Sequence, residues 1–240
     1  MQDDSFRSGK LLLVSPHPDD IAYSCGGLVE TRIDAAHLLT VFTRSEWTIS
    51  EHLRDAGADA LSEVRVAEDR RYCAERAIDH SFLDFADASL RGYDDEQELL
   101  ARAEDDPLAD EVAGKLAEVV RGVAPDLVIA PAAVGNHIDH LLVHLAVRAL
   151  DGDHRTLYYE DIPYSAHHAL KTVERELREV RGLRPFRTFD ISAVIESKVE
   201  GMRVYRSQTD DQGVQDMRFH ASRVAAPPGE FGERLWEAAD

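Results

Sequence analysis

Apolar positions in this chain gather into short continuous runs separated by longer amphipathic stretches, and the two kinds alternate from end to end. Leu11–Ser15 is too short for a helix and continuous rather than alternating, as a strand buried on both faces is. Helical spacing follows over 21–33, interrupted by Gly26-Gly27, and a β-rich run occupies 37–43. A long proline-free stretch rich in Ala, Glu and Arg predicts a helix over 51–77. A third strand is predicted at 81–85, and two helical pieces divided at Pro107 over 94–121. The run at 126–130 (DLVIA) predicts a fourth strand, followed by a helix over 138–150, a strand at 156–160 and a charged surface helix over 166–181. A last strand is expected at 188–191 and a helix over 194–206, before Pro227-Pro228-Gly229 introduces a short tail.

Successive strand–helix units of this kind predict an α/β protein, a three-layer α/β/α sandwich around a mainly parallel sheet. No internal repeat, low-complexity tract or linker interrupts the pattern, so a single domain over 1–240 is expected.

Charge narrows the partners. With 46 acidic against 27 basic residues the formal net charge is −19. That opposes sequence-independent binding to nucleic acid and to an anionic membrane surface. Only Lys10, Lys115, Lys171 and Lys198 are lysines, and an acidic, lysine-poor surface suits concentrated salt, where screening weakens self-repulsion. No apolar stretch is long enough to span a bilayer, and the start, Met1-Gln2-Asp3-Asp4, is unlike a signal peptide, so a cytoplasmic protein is expected. Cys25 and Cys73 form no CxxC pair and read as small buried side chains.

Candidate chemistry lies in two clusters. Ser15-Pro16-His17-Pro18-Asp19-Asp20 follows the first strand, and its prolines stop the sheet from extending. Asn136-His137-Ile138-Asp139-His140 follows the fourth. In open α/β sheets, ligands bind outside the carboxyl ends of the strands. Imidazole nitrogen and carboxylate oxygen hold zinc and similar ions, and a catalytic site keeps one position open. His17, Asp20 and His140 offer such a donor set, and His17 and Asp20 stand close enough across a turn to chelate one ion. Asp19 is then left beside the ion as a general base. A protonated His137 would stabilise an oxyanion, with Asp139 orienting or charging its imidazole. Zn²⁺ is the expected ion, and Fe²⁺ accepts the same ligands. Either cluster alone would equally make a turn or a helix start; their joint placement after two apolar strands singles out a site.

These motifs resemble those of the PIG-L/LmbE-like family of metal-dependent N-acetylglucosaminyl deacetylases: a leading A/P-H-P-D-D-E at 16–20 and an H-x-D-H at 137–140. The resemblance implies a Rossmann-like sheet, metal ligation by His17, Asp20 and His140, Asp19 as base and His137 at the oxyanion. Arg65-x-x-Glu68 looks like the family's R-x-x-E, whose arginine faces the sugar, although Arg65 and Glu68 would equally form an ion pair. Asp87 resembles an aspartate near sugar hydroxyls, and Lys198 through Ser207-Gln208 a K…SQ segment. Ile21 stands where the family commonly has Glu, so that residue's hydrogen bonds are missing here.

The activity implied is zinc-dependent removal of the acetyl group from an N-acetylglucosamine-containing sugar or glycoconjugate, a small-molecule amino-sugar substrate. Deacetylases of this type often associate, which implies a homo-oligomer. Two alternatives are an amidase for another amide, such as a thiol conjugate of an amino sugar, and a silent metal- or sugar-binding protein. Elsewhere, His37, His52, His80, His154 and His220 lie on charged or strand-edge segments and read as solvated; His144 reads as a core or supporting histidine. Trp47, Tyr158, Tyr159 and Tyr205 are aromatic candidates for a sugar pocket or, more commonly, for the core.

Overall fold

The structure, a computed structural model, describes residues 9–32, 36–94 and 97–239. The acidic start at 1–4, the expected end of the first helix at Ile33 and residues 95–96 of the acidic run lie outside them.

Seven strands form one sheet: β1 (Leu11–Ser15), β2 (Ala36–Arg44), β3 (Asp79–Ala86), β4 (Leu127–Pro131), β5 (Arg155–Tyr159), β6 (Leu183–Asp190) and β7 (Gly232–Ala238), in the order β3-β2-β1-β4-β5-β7-β6. The first five run parallel, with Leu11 opposite Ala36 on one side and Leu127 on the other. β7 pairs antiparallel with both β5 and β6. The fold is therefore the expected three-layer α/β/α arrangement with a mainly parallel sheet.

The longer helices are α1 (Asp20–Arg32), α2 (Ala58–Glu75), α3 (Ala109–Val123), α4 (Ile138–Arg148), α5 (Leu170–Arg175, continued by a π turn over Glu176–Val180), α6 (Ile195–Met202) and α7 (Asp211–Val224). Alternate strand residues feed two cores. Leu11, Leu13 and Ile129 pack with residues of α1, α6 and α7 on one face. Leu12, Val14 and Val128 pack with α3 and α4 on the other. In α3, Val112, Leu116 and Val120 recur every four residues and are the buried ones, which is why that segment is a helix lying on the sheet. Gly27 lets α1 approach its neighbours: a Cβ there would stand 2.6 Å from Ile191 Cγ2.

Several expectations need correction. The long helix starts at Ala58 rather than 51, because Gly57, at φ 81°, breaks the chain from the turns before it. The tail after Pro227-Pro228-Gly229 is a sheet strand, β7, and α7 fills 211–224, a stretch with no predicted element. Sequence pattern hides β7 because its Glu233 is buried among distant partners: it accepts from the amides of Gly27 and Leu28 and from Lys198 Nζ at 2.6 Å. His220 is buried rather than solvated, with Nε2 2.6 Å from Glu160 Oε2. Tyr158, Tyr159 and Tyr205 are core residues, whereas Trp47 is 51% exposed. Among the described residues, no helix is long and apolar enough to cross a membrane.

Strand order reverses between β1 and β4, since β2 lies outside β1 and β5 outside β4. Loops leaving the carboxyl ends of β1 and β4 diverge there and open a crevice, the place where ligands bind in doubly wound sheets. Both sequence clusters stand on that crevice.

Candidate active site and metal centre

The loop after β1 is a tight turn held by its own side chains. Ser15 Oγ donates to the His17 carbonyl at 2.6 Å, and the His17 amide donates to Asp20 Oδ2 at 2.7 Å. Asp19 sits between them at φ 110°, a backbone that non-glycine residues rarely adopt. That geometry starts α1 at Asp20 and turns Asp19 into the cavity.

After β4 the chain again takes left-handed conformations, at Ala133 (φ 60°), Gly135 (φ 88°) and Asn136 (φ 63°). Arg181 braces this loop, donating to the Ala133 carbonyl at 2.8 Å and to Asn136 Oδ1 at 2.5 Å. His137 caps α4, its Nδ1 accepting from the Asp139 amide at 3.2 Å.

The two loops bring His17, Asp20 and His140 together, with one donor atom from each within 4.8 Å of the others. Asp20 Oδ2 is 3.4 Å from His17 Nδ1, and Asp20 Oδ1 is 3.5 Å from His140 Nε2. Each imidazole carries a buried carboxylate on its far nitrogen: Asp139 Oδ2 is 2.8 Å from His17 Nε2, and Asp161 Oδ1 is 2.7 Å from His140 Nδ1. That outer support is what metal-ligating histidines have. His17, His137 and Asp139 form a second compact set. It fits an ion less well, because Asp139 is already engaged by Arg91 at 2.7 Å and by the Ala88 amide at 2.9 Å.

Burial opposes charge on His17, but Asp139 and Asp20 outweigh it and push its pKa up to about 10. Burial likewise opposes charge on Asp20, yet His140 and His17 hold it down at about 2. The buried carboxylates thus demand positive charge at this point. A divalent ion meets that demand and displaces the imidazole protons, so the donor set fits a metal. Asp19 is different: burial and the neighbouring Asp20 charge push it up to about 8.

Asp139 holds a different partner from the expected one. Its carboxylate reaches His17, and only its backbone amide meets the His137 imidazole. His137 Nε2 instead faces Glu98 Oε2 at 3.4 Å. Arg65 is buried, donates to Ser45 Oγ at 2.6 Å and stands 3.7 Å from Asp87 Oδ2, while its Nε has no hydrogen-bond partner among the described residues. Glu68 turns away from Arg65 to accept from the Ser207 amide and hydroxyl. Lys198 pairs with Glu233 away from the cavity, whereas Gln208 lines it. Ile21, in the first turn of α1, is buried in the core and is not part of the cavity wall. His144 donates from Nδ1 to the Pro131 carbonyl at 2.9 Å and is a core residue.

Asp161 and Arg91 escaped sequence reasoning. Asp161 follows the carboxyl end of β5, the next strand beside β4, and that position was the available signal. Arg91 lies in a 3₁₀ turn after β3, and nothing local marks it.

A cavity of about 480 Å³ opens onto this constellation, with His17, Asp19, Asp20, Arg65, His137 and His140 in its wall. The chain is 54% identical over 224 residues to the 2′-N-acetylparomamine deacetylase of Streptomyces fradiae, covering 91% of this chain and 80% of that one. Among solved structures, a deacetylase of the teicoplanin biosynthesis pathway superposes with a TM-score of 0.71 at 23% identity, covering 95% of this chain and 96% of the other. The zinc-inhibited form of teicoplanin deacetylase Orf2 gives 0.69 at 24%, covering 95% and 97%. Residues 12–150 match the family described as PIG-L, GlcNAc-PI de-N-acetylase, a span that begins at β1 and contains both clusters; with the paired loops of the crevice, the match shows that this chain belongs to the PIG-L family.

Proposed function

We propose that this chain is a divalent-metal hydrolase that removes the acetyl group from an N-acetylated amino sugar. His17, Asp20 and His140 would hold the ion, with Zn²⁺ the first choice. A bound ion there supplies Lewis-acid polarisation of the amide carbonyl and eases deprotonation of water. Asp19 accepts the proton of the attacking water and returns it to the leaving amine. His137 donates toward the developing oxyanion from the cap of α4. Asp139, tied to Arg91 and the Ala88 amide, fixes the His17 ring from behind. Arg65 and Asp87, both in the cavity wall, receive the sugar hydroxyls. Free, buried Cys25 and Cys73 fit a cytoplasmic enzyme, and the reading takes a small-molecule amino sugar as its substrate and a homo-oligomer as its assembly.

Asp19 carries this reading. A carboxylate at φ 110° stands in the cavity wall beside the donor set and not within it. A binding protein has no use for such a group. The test is acetate release from N-acetylglucosamine derivatives by Zn²⁺- and Fe²⁺-loaded protein against a chelated control. Chelator-sensitive acetate release supports the reading. Release of bulkier acyl groups without acetate would replace it with the broader amidase, and no hydrolysis by metal-loaded protein would overturn it.

A further inference from the structure

The sheet order fixes which side of the donor set each wall of the cavity occupies. His17, Asp20 and His140 stand past the ends of β1 and β4, in the middle of the order β3-β2-β1-β4-β5-β7-β6. Arg65 and Asp87 come from one side, the first on α2, which packs on β2 and β3, and the second just past the end of β3. The chain leaving β5 closes the other side and adds Ile162, Pro163 and Tyr164 to the wall. These are three consecutive residues without a charged side chain, in a cavity that six carboxylates line elsewhere. Two of those, Asp210 and Asp216, come from α7, which packs through Gly213 on the Tyr23 hydroxyl. Both are engaged by their own surroundings, Asp210 by the Gly213 amide and Asp216 by Gln212 and His167.

The wall after β5 is anchored at both ends and against its neighbours. Its root, Asp161, holds His140 Nδ1 at 2.7 Å and accepts from the Val134 amide at 2.9 Å. The Ile162 amide donates to Ser24 Oγ at 3.2 Å, and the Ser165 amide to the Asp161 carbonyl at 2.8 Å. Tyr164 sets its ring edge to face on His140, with centroids 5.6 Å apart and planes at 84°, and lies 6.1 Å from the His137 ring. Gly135, at φ 88°, leaves the space that this ring fills: a Cβ there would stand 2.7 Å from Tyr164 Cβ and Cγ. The phenol ring therefore stands against both the donor set and the loop that carries His137, and it has no room to withdraw.

The carbonyl carbon of an N-acyl amide carries the sugar nitrogen on one bond and the acyl chain on another. With the sugar hydroxyls at Arg65 and Asp87, the acyl chain points the opposite way, toward β5. We propose, resting on the deacetylase reading, that Ile162, Pro163 and Tyr164 form the acyl pocket, and that Tyr164 is the specificity-determining residue that sets its depth. An acetyl methyl gains from apolar contact there. A longer chain meets a ring that cannot move aside without disturbing His140 or the Gly135 turn. The substrate class is then narrowed to short-chain N-acyl amides, acetyl first.

N-acetyl-, N-propionyl- and N-butyrylglucosamine test this on the metal-loaded protein, with kcat/KM and dissociation constants measured for wild type, Tyr164→Phe and Tyr164→Ala. In wild type, kcat/KM should fall by ~10-fold or more for each added methylene. Tyr164→Ala should cut the acetyl-to-butyryl ratio by ~10-fold or more and raise kcat/KM on the butyryl amide, a gain that general damage to the site does not produce. Tyr164→Phe keeps the ring and should keep the wild-type ratio. Methyl and butyl glycosides of N-acetylglucosamine vary the sugar side instead, and their ratio should not respond to Tyr164. Should Tyr164→Ala fail to fold, Tyr164→Leu shortens the same wall and is read in the same way. A wild-type acetyl-to-butyryl ratio near one, a ratio unmoved when the folded protein has a shortened residue 164, or an effect on the glycosides in place of the acyl chains overturns the proposal. If none of the amides is hydrolysed, the deacetylase reading falls, and the dissociation constants of the three amides still decide whether Tyr164 limits the acyl chain.

Discussion

Replacing Asp19 by glycine and, separately, by alanine divides this residue's chemistry from its backbone. At φ 110° a side chain costs on the order of 1–3 kcal/mol, which the surrounding turn imposes. Both substitutions delete the same carboxylate, so their difference reports the backbone alone. Glycine releases the strain and, relative to alanine, loses about 0.5–1 kcal/mol of extra chain entropy on folding. The balance leaves the glycine variant more stable than the alanine variant by roughly 1 kcal/mol, the reverse of their order in ordinary backbone. For a chain of this length that is a Tm difference of about 2–4 °C, read by thermal unfolding at matched metal content. Both variants should lose the general base, a factor of about 10²–10⁴ in kcat, or roughly 3–5 kcal/mol on the barrier, while still binding metal. An alanine variant as stable as the glycine variant would refute the strain argument. A tenth of wild-type turnover surviving in either would refute the assignment of the base.

Chelation should destabilise the metal-loaded protein, since an ion held at a hundred times its Kd contributes about 2.7 kcal/mol. The shift, ~5–10 °C in Tm, should vanish in His140→Ala, and an equal shift in that variant would place the ion elsewhere. Arg65→Lys keeps the charge but removes the planar donors aimed at Ser45, Asp87 and the cavity. It should lower kcat/KM by ~10–100-fold, chiefly through KM, and an unchanged KM would remove Arg65 from the substrate site. Burial holds His144 down at about 4 against an ordinary 6.5. The unfolded chain therefore takes up a proton first, and stability is full above about pH 6.5 and falls toward pH 4, by about 3 kcal/mol for this group. His144→Asn retains a donor for the Pro131 carbonyl and should flatten that loss; parallel acid-stability curves for variant and wild type would count against it.

Local pattern determined the framework of this protein. β1 and β4 are legible because a strand covered on both faces must be continuously apolar, as in Leu11–Ser15 and 126–130. Proline and aspartate after β1 and a histidine cap before α4 are local chemistry too, so the two clusters and their order could be read from residues close together in the chain. Tertiary structure decided what those residues face. His140 meets Asp161 from the end of β5, and Asp139 turns from His137 to His17 because Arg91, 48 residues away, takes its other oxygen. β7 is a strand only because Lys198 and the amides of α1 satisfy Glu233, and Asp210 and Asp216 reach the cavity only because α7 packs on Tyr23. Periodicity and turn chemistry act over a few residues and leave their mark in sequence. Pairing of buried charges across the sheet is set by how distant segments pack, and no single segment carries a record of it.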